Sequence, residues 1–367
     1  MKKIMITVNV AFVAYNFRYG LMKELSSQGY EVVVVGAKDS SSKDIEKNGW
    51  EFIDIPIDRK GTNILNDLKL LKAYKNIYKK EKPDIIFQFT IKPNIYGTLA
   101  AKSLKIPVVN NMTGLGEIFL KEDLIAKVVK FLYKVSFKTP KKVFFQNYDD
   151  MNLFLENGLV KKEICDRLPG SGVNLEKFYP MDKIIKNDNV LFLFIGRISD
   201  EKGVRVLYEA AKKIKNKYNN LEFQLLGKIY EDEKNAIKVE ELNNWRKEGI
   251  LDYLGTSKDV RQEIKNSDCI VLPSYYREGV PRTLIESAAM GKPIITTDNG
   301  GCRDIVDNGY NGFLFEPKCV DSLVEGINKF LKLNDEERAE LGKNGRTKAK
   351  QEFDEKIVIE KYLKELY

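Results

Sequence analysis

Two carboxylates, Glu278 and Glu286, bracket a Gly279-Val280-Pro281 turn, and two cations, Arg197 and Lys202, lie in a loop that opens at Gly196 and closes at Gly203. A carboxylate accepts paired hydrogen bonds from vicinal hydroxyls, while fixed cations and the amides at a helix start hold phosphate oxygens. Together these groups suit a sugar carried on a nucleoside diphosphate. Breaking a glycosyl–phosphate bond loads negative charge onto the departing diphosphate, so Arg197 and Lys202 would stabilise the transition state more than the ground state.

The elements that must position these groups can be read around them. An apolar run, CIVLPS, precedes the turn; a short helical pattern carries Glu286; a second run, PIITTD, follows and closes on Gly300-Gly301. Ligands of open α/β sheets bind at the carboxyl ends of such strands. Pro281 is expected just inside the helix and Gly291 just past it, which leaves the amides of Gly279, Val280, Arg282 and Thr283 as donors for phosphate. The bland alternative is a helix with one acid before it and another on its solvated face. The flanking strands favour the functional reading. The Arg197–Lys202 loop likewise follows an apolar strand, VLFLFI, at the start of the second half, against the alternative of a solvated charged loop.

The same alternation runs through the chain. IMITV, EVVVVG, EFIDIP, DIIFQF, PVVNNM and KVFFQN, then LFLFIG, EFQLLG, LDYLG, CIVLPS, PIITTD and GFLFE, read as strands, and helical stretches separate most of them. Parallel βαβ units are therefore expected rather than hairpins. The pattern occurs twice, with a polar, proline-containing break over residues 174–189. Domains are predicted at 1–175 and 176–351, with the tail, about 352–367, returning to the first; beyond Asp335 the tail reads as two helices. The opening IMITVNVAFVA, behind two lysines, reads as a first strand rather than a secretory signal, because Thr7 and Asn9 interrupt it and a helical pattern (Leu21, Leu25) opens at Asn16-Phe17-Arg18.

A length of 367 residues suits two cores rather than one. The four cysteines, Cys165, Cys269, Cys302 and Cys319, lack metal or redox spacing and imply a reducing cytoplasm. No stretch approaches the roughly 20 apolar residues of a membrane span. The net charge of +8 is uneven: residues 1–180 carry 29 Lys+Arg against 20 Asp+Glu, a balance of +9. A basic N-terminal half suits an anionic partner such as phospholipid headgroups or a diphosphate lipid, and no nucleic-acid module accompanies it. There is no histidine, so imidazole bases, histidine triads and histidine–zinc sites are excluded. Asp149-Asp150 reads as the cap of a following helix rather than a metal pair. Lys127, Lys130, Lys134 and Lys138 recur at helical spacing opposite Val128, Phe131, Leu132 and Val135. That pattern fits either an interfacial helix on anionic lipid or an ordinary sheet-covering helix.

IGRISDEKG, SGVNLEKFYP, LPSYYREGVPRTLIESAAMGKPIITTDNGG and DNGYNGFLFEP resemble the retaining nucleotide-sugar glycosyltransferases of group 1. In the N-terminal half DRKGTN, FTIKPNIYGTLAAK and NNMTGLGEIF resemble the bacterial branch that builds capsule, O-antigen or glycoprotein glycans on undecaprenyl diphosphate. The resemblance implies a GT-B fold, two Rossmann-like domains facing each other across a cleft, with the first domain taking the acceptor and the second the donor. It implies Glu278 on donor-sugar hydroxyls, Glu286 on the ribose, and Arg197 and Lys202 on the diphosphate, with Gly196 in their loop and the amides from Gly279 to Thr283 beside sugar and phosphate. It also implies Asn16, Arg18, Thr90, Lys92, Thr113 and Gly114 at the interdomain mouth, toward the acceptor. A UDP-sugar donor, a polyprenyl-diphosphate-linked saccharide acceptor, transfer without cofactor or metal, and a cytoplasmic location at the inner face of the cell membrane follow from the same resemblance. The chain departs from the family in having Val10-Ala11-Phe12-Val13-Ala14 where many members have a Gly-Gly turn, which leaves phosphate contact there in doubt. An epimerase of similar fold and a non-enzymatic nucleotide-sugar-binding scaffold are the alternatives.

Overall fold

Apolar strands alternating with amphipathic helices collect, in the computed structural model, into two units: Met1–Ser171 with Glu355–Tyr367, and Gly172–Asp354. The structure describes residues 1–58, 63–116, 119, 123–183, 189–231 and 236–367. Residues 59–62 of DRKGTN, 117–118 of NNMTGLGEIF and 184–188 of the polar break lie outside the described residues. The unit boundaries fall at 171/172 and 354/355, a few residues from those expected. The cause is local: the Val173 amide donates to the Phe353 carbonyl at 2.8 Å, and Val173 bridges Asp354 in parallel, so both segments start and end the second unit together.

The first unit contains β1 (Lys3–Val10), α1 (Ala11–Ser27), β2 (Glu31–Ala37), α2 (Ser40–Lys47), β3 (Glu51–Asp54), α3 (Ile64–Glu81), β4 (Ile85–Phe89), a π-helical turn (Pro93–Gly97), α4 (Thr98–Leu104), β5 (Val108–Met112), α5 (Leu124–Ser136), β6 (Lys142–Phe145), α6 (Tyr148–Glu156) and β7 (Cys165–Arg167). Among the described residues its strands are parallel, in the order β3-β2-β1-β4-β5-β6-β7. A sheet covered on both faces reads as continuous apolar sequence. Ile4, Ile6 and Val8 of β1 pack in the core with α1 and the terminal helix (Glu355–Lys364), whereas Met5 joins the opposite core with Leu70, Tyr74 and Tyr78 of α3. Three expectations are corrected. The polar three-residue β7 at the sheet edge extends the six expected strands to seven. Helix α1 starts at Ala11, directly on β1, rather than near Asn16, because Ala11, Ala14, Arg18 and Leu21 already form one buried stripe. Asn147, whose side chain accepts from the Asp150 amide at 2.7 Å, caps α6, and Asp149-Asp150 lie in its first turn.

The second unit contains β8 (Val190–Ile195), α7 (Val204–Lys215), β9 (Leu221–Leu226), α8 (Val239–Lys247), β10 (Asp252–Tyr253), α9 (Arg261–Asn266), β11 (Cys269–Leu272), α10 (Arg282–Ala289), β12 (Ile294–Thr297), α11 (Gly300–Arg303), β13 (Gly312–Phe315), α12 (Val320–Leu331) and α13 (Asp335–Glu352). The described strands are again parallel, in the order β10-β9-β8-β11-β12-β13. Pro281 occupies the capping position of α10 rather than its first helical residue, with φ −63° and ψ 116°. Gly291 does follow the helix, with φ +72°. Among the described residues no helix is long and apolar enough to cross a membrane.

Candidate functional site

In the second unit the chain leaves β8 toward β9 on one side and later returns to β11 on the other, so β8 and β11 flank the switch point of the sheet. Connections leaving neighbouring strands in opposite directions open a crevice at their carboxyl ends. Residues 196–203 leave β8 there and residues 273–281 leave β11. The first loop holds Gly196, Arg197 and Lys202; the second holds Glu278, Gly279 and Val280.

The two loops are fastened to each other through the backbone. The amides of Tyr275 and Tyr276 both donate to the Glu201 carbonyl at 3.1 Å. Gly203, at φ +75°, lies so close that a Cβ would sit 2.0 Å from the Pro273 carbonyl oxygen. Gly301 of α11 backs the second loop: a Cβ there would fall 1.3 Å from the Gly279 oxygen. Only glycine admits that approach.

On this frame Lys202 Nζ pairs with Glu278 Oε1, the two side chains being only 12% and 14% exposed. The Ser274 hydroxyl also donates to Glu278 Oε1, at 3.0 Å. The ring of Tyr276 lies under both cations, with Arg197 Cζ 5.6 Å and Lys202 Nζ 5.9 Å from its centroid. Ring quadrupoles attract cations over such distances. Tyr276 was not anticipated: as one of two adjacent tyrosines in a loop it carries no spacing signal. Tyr275 makes a different contact, donating to Asp200 Oδ2 at 2.7 Å.

Glu286 lies inside α10 rather than on a solvated face; it is 8% exposed. Arg282 Nε donates to its Oε1 at 2.7 Å, one helical turn back. Burial raises the pKa of Glu286 above the ordinary carboxylate value, and the Arg282 charge opposes that rise. Thr283 follows in the first turn, half-buried. The second unit thus gathers Gly196, Arg197, Lys202, Glu278 and Gly279 at the switch point and pairs Arg282 with Glu286 in the adjoining helix. Such a set can hold a dianion between cations while a carboxylate accepts from hydroxyls.

The remaining expected residues belong to the first unit, whose own switch point lies between β1 and β4. There is no loop after β1 to contact phosphate; the Phe12 amide in the first turn of α1 donates instead to Asp39 Oδ2 at 3.1 Å. The Asn16 side chain donates to the Phe12 carbonyl at 3.1 Å. Arg18 is buried, its guanidinium 4.3 Å from the Phe89 ring centroid. Thr90 follows β4 with φ +72°, a strained conformation for a β-branched residue. Its Oγ1 is buried without a hydrogen-bond partner among the described residues, as is Oδ1 of Asn9, which stands beside Thr90 by extension of the β1–β4 register. Lys92 pairs with Asp67 at 2.6 Å, and the Tyr96 hydroxyl donates to the other oxygen of that carboxylate at 2.8 Å. Thr113 and Gly114, the latter at φ +113°, follow β5. Among the described residues no cluster of three or more acids or cysteines could hold a metal ion.

Helix α5 is turned differently from expectation. Ala126, Tyr133 and Ser136 are its buried positions, so Val128 and Phe131 are exposed together with Lys127 and Lys134; Lys130 is half-buried, and Lys138 lies beyond the helix end.

Two parallel, doubly wound units, each with polar groups at a switch point, define the GT-B class of α/β proteins. A glycosyltransferase from Rickettsia africae superposes with a TM-score of 0.81 at 22% identity, over 99% of this chain and 97% of that one. The family described as glycosyl transferases group 1 matches residues 177–348, and that described as glycosyl transferase 4-like matches residues 3–147. The N,N'-diacetylbacillosaminyl-diphospho-undecaprenol alpha-1,3-N-acetylgalactosaminyltransferase of Campylobacter jejuni is 33% identical, over 95% of this chain and 94% of its own. The UDP-Gal:alpha-D-GlcNAc-diphosphoundecaprenol alpha-1,3-galactosyltransferase of Escherichia coli is 28% identical, over 94% and 90% respectively. The chain belongs to the group 1 glycosyltransferases, and it is a glycosyltransferase.

Proposed function

We propose that the protein transfers a sugar, an N-acetylhexosamine or a relative, from a UDP-sugar to an undecaprenyl-diphosphate-linked saccharide with retention at the anomeric carbon, in the synthesis of a bacterial surface polysaccharide or glycoprotein glycan. The donor and acceptor classes are supported by the names of the Campylobacter and Escherichia relatives. The observation that carries the reading for this chain is the Lys202–Glu278 pair at the β8/β11 switch point, with Arg197 over the same tyrosine ring.

In the resting site Lys202 and Glu278 neutralise each other. A donor exchanges that pair for two others: its diphosphate takes Lys202 and Arg197, and its sugar hydroxyls donate to Glu278. Arg282 and Glu286 lie with the helix start, where the carboxylate takes the ribose. In the transfer step the anomeric carbon–oxygen bond to the diphosphate breaks, the acceptor hydroxyl oxygen bonds to that carbon on the same face, and the acceptor proton passes to the departing diphosphate oxygen. No enzymic base or metal is required, which accords with a chain that has no histidine. Lys202 and Arg197 act most strongly as the bond breaks, when charge on the diphosphate peaks. Asn16, Arg18, Thr90, Lys92, Thr113 and Gly114 serve the acceptor. Lys127, Lys130, Lys134 and Lys138 hold the protein peripherally at the inner face of the cell membrane, where the lipid carrier is anchored.

The test is incubation of purified protein with labelled UDP-N-acetylgalactosamine, UDP-N-acetylglucosamine and UDP-galactose, with and without a lipid-diphosphate-linked saccharide. Transfer with retained anomeric configuration, undiminished by chelator, is expected. Interconversion of the donor without acceptor, or binding without turnover, would refute the proposal.

A further inference from the structure

One face of the first unit's sheet departs from the apolar pattern of a doubly covered sheet. Side chains of a strand alternate between faces, so those of paired strands line up in rows. On the side covered by α3, Met5, Ile86 and Val108 form an apolar row. The next row toward the carboxyl edge, Thr7, Gln88 and Asn110, is polar and fully buried. Asn9 and Thr90 continue it at the edge by extension of the same register.

The π-helical turn closes over these rows. A Cβ on Gly97 would sit 2.8 Å from Gln88 Oε1, and the Thr98 hydroxyl accepts from the Asn110 side chain at 3.0 Å. Asn94, fully buried in the turn, donates through Nδ2 to the Asn111 carbonyl at 2.8 Å, and Met112 Sδ lies 3.3 Å from the same nitrogen. Its backbone amide donates to the Thr90 carbonyl at 3.0 Å. Four buried atoms of this small region nevertheless lack a hydrogen-bond partner among the described residues: Asn9 Oδ1, Thr90 Oγ1, Asn94 Oδ1 and Gln88 Nε2. Each such group costs about 1–3 kcal/mol, and in a native protein it calls for an explanation. Thr90 adds backbone strain at φ +72°. Strain and π-helical turns both gather at functional sites.

The chemistry of the four atoms narrows what can satisfy them. Two are carboxamide oxygens that only accept, one is an N–H that only donates, and one is a hydroxyl that does either. A phosphate or carboxylate brings no proton to the oxygens, and an ammonium brings no lone pair to Gln88. A sugar hydroxyl brings a single proton and nothing for the apolar surface of Met112. An acetamido group brings an N–H, a carbonyl oxygen and a methyl. We infer that Asn9, Gln88, Thr90 and Asn94 form a subsite that reads the acetamido group of an N-acetylated acceptor sugar. This rests on the reading of a saccharide acceptor, adds Asn9, Gln88 and Asn94 to its residues, and names the group they select. The sugar's N–H donates to the asparagine oxygens, its carbonyl accepts from Gln88 and Thr90, and its methyl lies toward Met112. The π-helical turn covers these atoms at rest, and the strained Thr90 just before it is where the cover gives way.

The experiment pairs two water-soluble, short-chain diphosphate-linked acceptors that differ only in an acetamido or a hydroxyl group on the terminal sugar. Binding of each to the full chain is read by titration calorimetry without donor, and transfer by kcat/KM with the labelled UDP-sugars. Wild type should favour the acetamido acceptor by about 100-fold or more, since a site built to hydrogen-bond a group rejects the analogue lacking it. Asn9→Leu and Thr90→Val should cut that ratio to about tenfold or less, whereas Thr90→Ser, which keeps the hydroxyl, should retain it; circular-dichroism melts check that each variant folds. A merely structural role would depress both acceptors together and preserve the ratio, which would overturn the subsite. So would equal binding and transfer of the two acceptors by wild type. If Asn9→Leu instead changed the preference for UDP-N-acetylglucosamine over UDP-glucose, the group read would be the donor's and the acceptor assignment would fall. Selective binding of the acetamido acceptor without transfer from any donor would refute the proposed activity and leave the subsite standing.

Discussion

Lys202 and Glu278 pair in a half-enclosed crevice, so removing either takes an opposite charge from the other where water is scarce. Lys202→Ala should lower kcat by about 100-fold or more with a smaller change in KM, as for other groups that meet charge developing in the transition state. Single-turnover kinetics checks this, and an unchanged kcat removes Lys202 from the chemistry. Tyr276 gives a complementary test: Tyr276→Phe should keep the ring beneath both cations and remain near wild type, whereas Tyr276→Ala should resemble a weakened Lys202 variant. Thr90 separates stability from activity. Thr90→Gly should raise the melting temperature, because a β-branched residue at φ +72° costs about 1–3 kcal/mol. Transfer should fall if its buried hydroxyl serves the acceptor. At this scale the proximity of Arg197, Lys202 and Glu278 was legible, because each lies in a loop that follows an apolar strand. Sequence was silent on Tyr276 and on the strain at Thr90, since stacking on a cation and a left-handed backbone depend on a tertiary neighbour.

Among the elements, α11 shows how a segment without a reactive side chain controls the crevice. A methyl group at Gly301 would collide with the Gly279 carbonyl, so Gly301→Ala should displace the loop bearing Glu278, lower donor affinity at least tenfold and leave the far-ultraviolet spectrum intact. Titration calorimetry with UDP reads it. At the opposite end of β12, Lys292 donates to the carbonyls of Lys265 and Ser267 at 2.8 and 2.6 Å, closing the carboxyl end of α9. Burial lowers its pKa from 10.5 to about 8. The folded state therefore binds fewer protons than the unfolded one between those values, and this residue's contribution to stability rises as pH climbs from about 8 toward 10.5. Chemical denaturation of Lys292→Met should lack that increment; equal slopes in variant and wild type would refute it. Long apolar strands were legible because a doubly covered sheet leaves few polar positions. The start of α1, the π-helical turn and β7 were not: the first two depend on which neighbours bury a stripe, and the third is polar and held by one partner strand. For α5, an amphipathic pattern with apolar residues on more than one side admits two rotations, and only packing chooses between them.

For the whole molecule, the terminal helix is the feature with the longest reach. Tyr362 is fully buried among Phe87, Phe89 and Phe144, with ring centroids 5.0, 5.8 and 5.2 Å away, and the Asn111 amide donates to its hydroxyl at 2.7 Å. Tyr362→Ala should cost about 3–5 kcal/mol, as large aromatic deletions in cores do. The loss should fall on the first unit alone, so calorimetry should show one melting transition moving down while the other holds. A single transition that shifts as a whole would mean that the two units unfold together. Residues 355–367 leave the ribosome only after the entire second unit. During synthesis, then, the aromatic face of β4 and β6 waits uncovered while some 180 further residues are added, and the first half of this protein reaches its native form last.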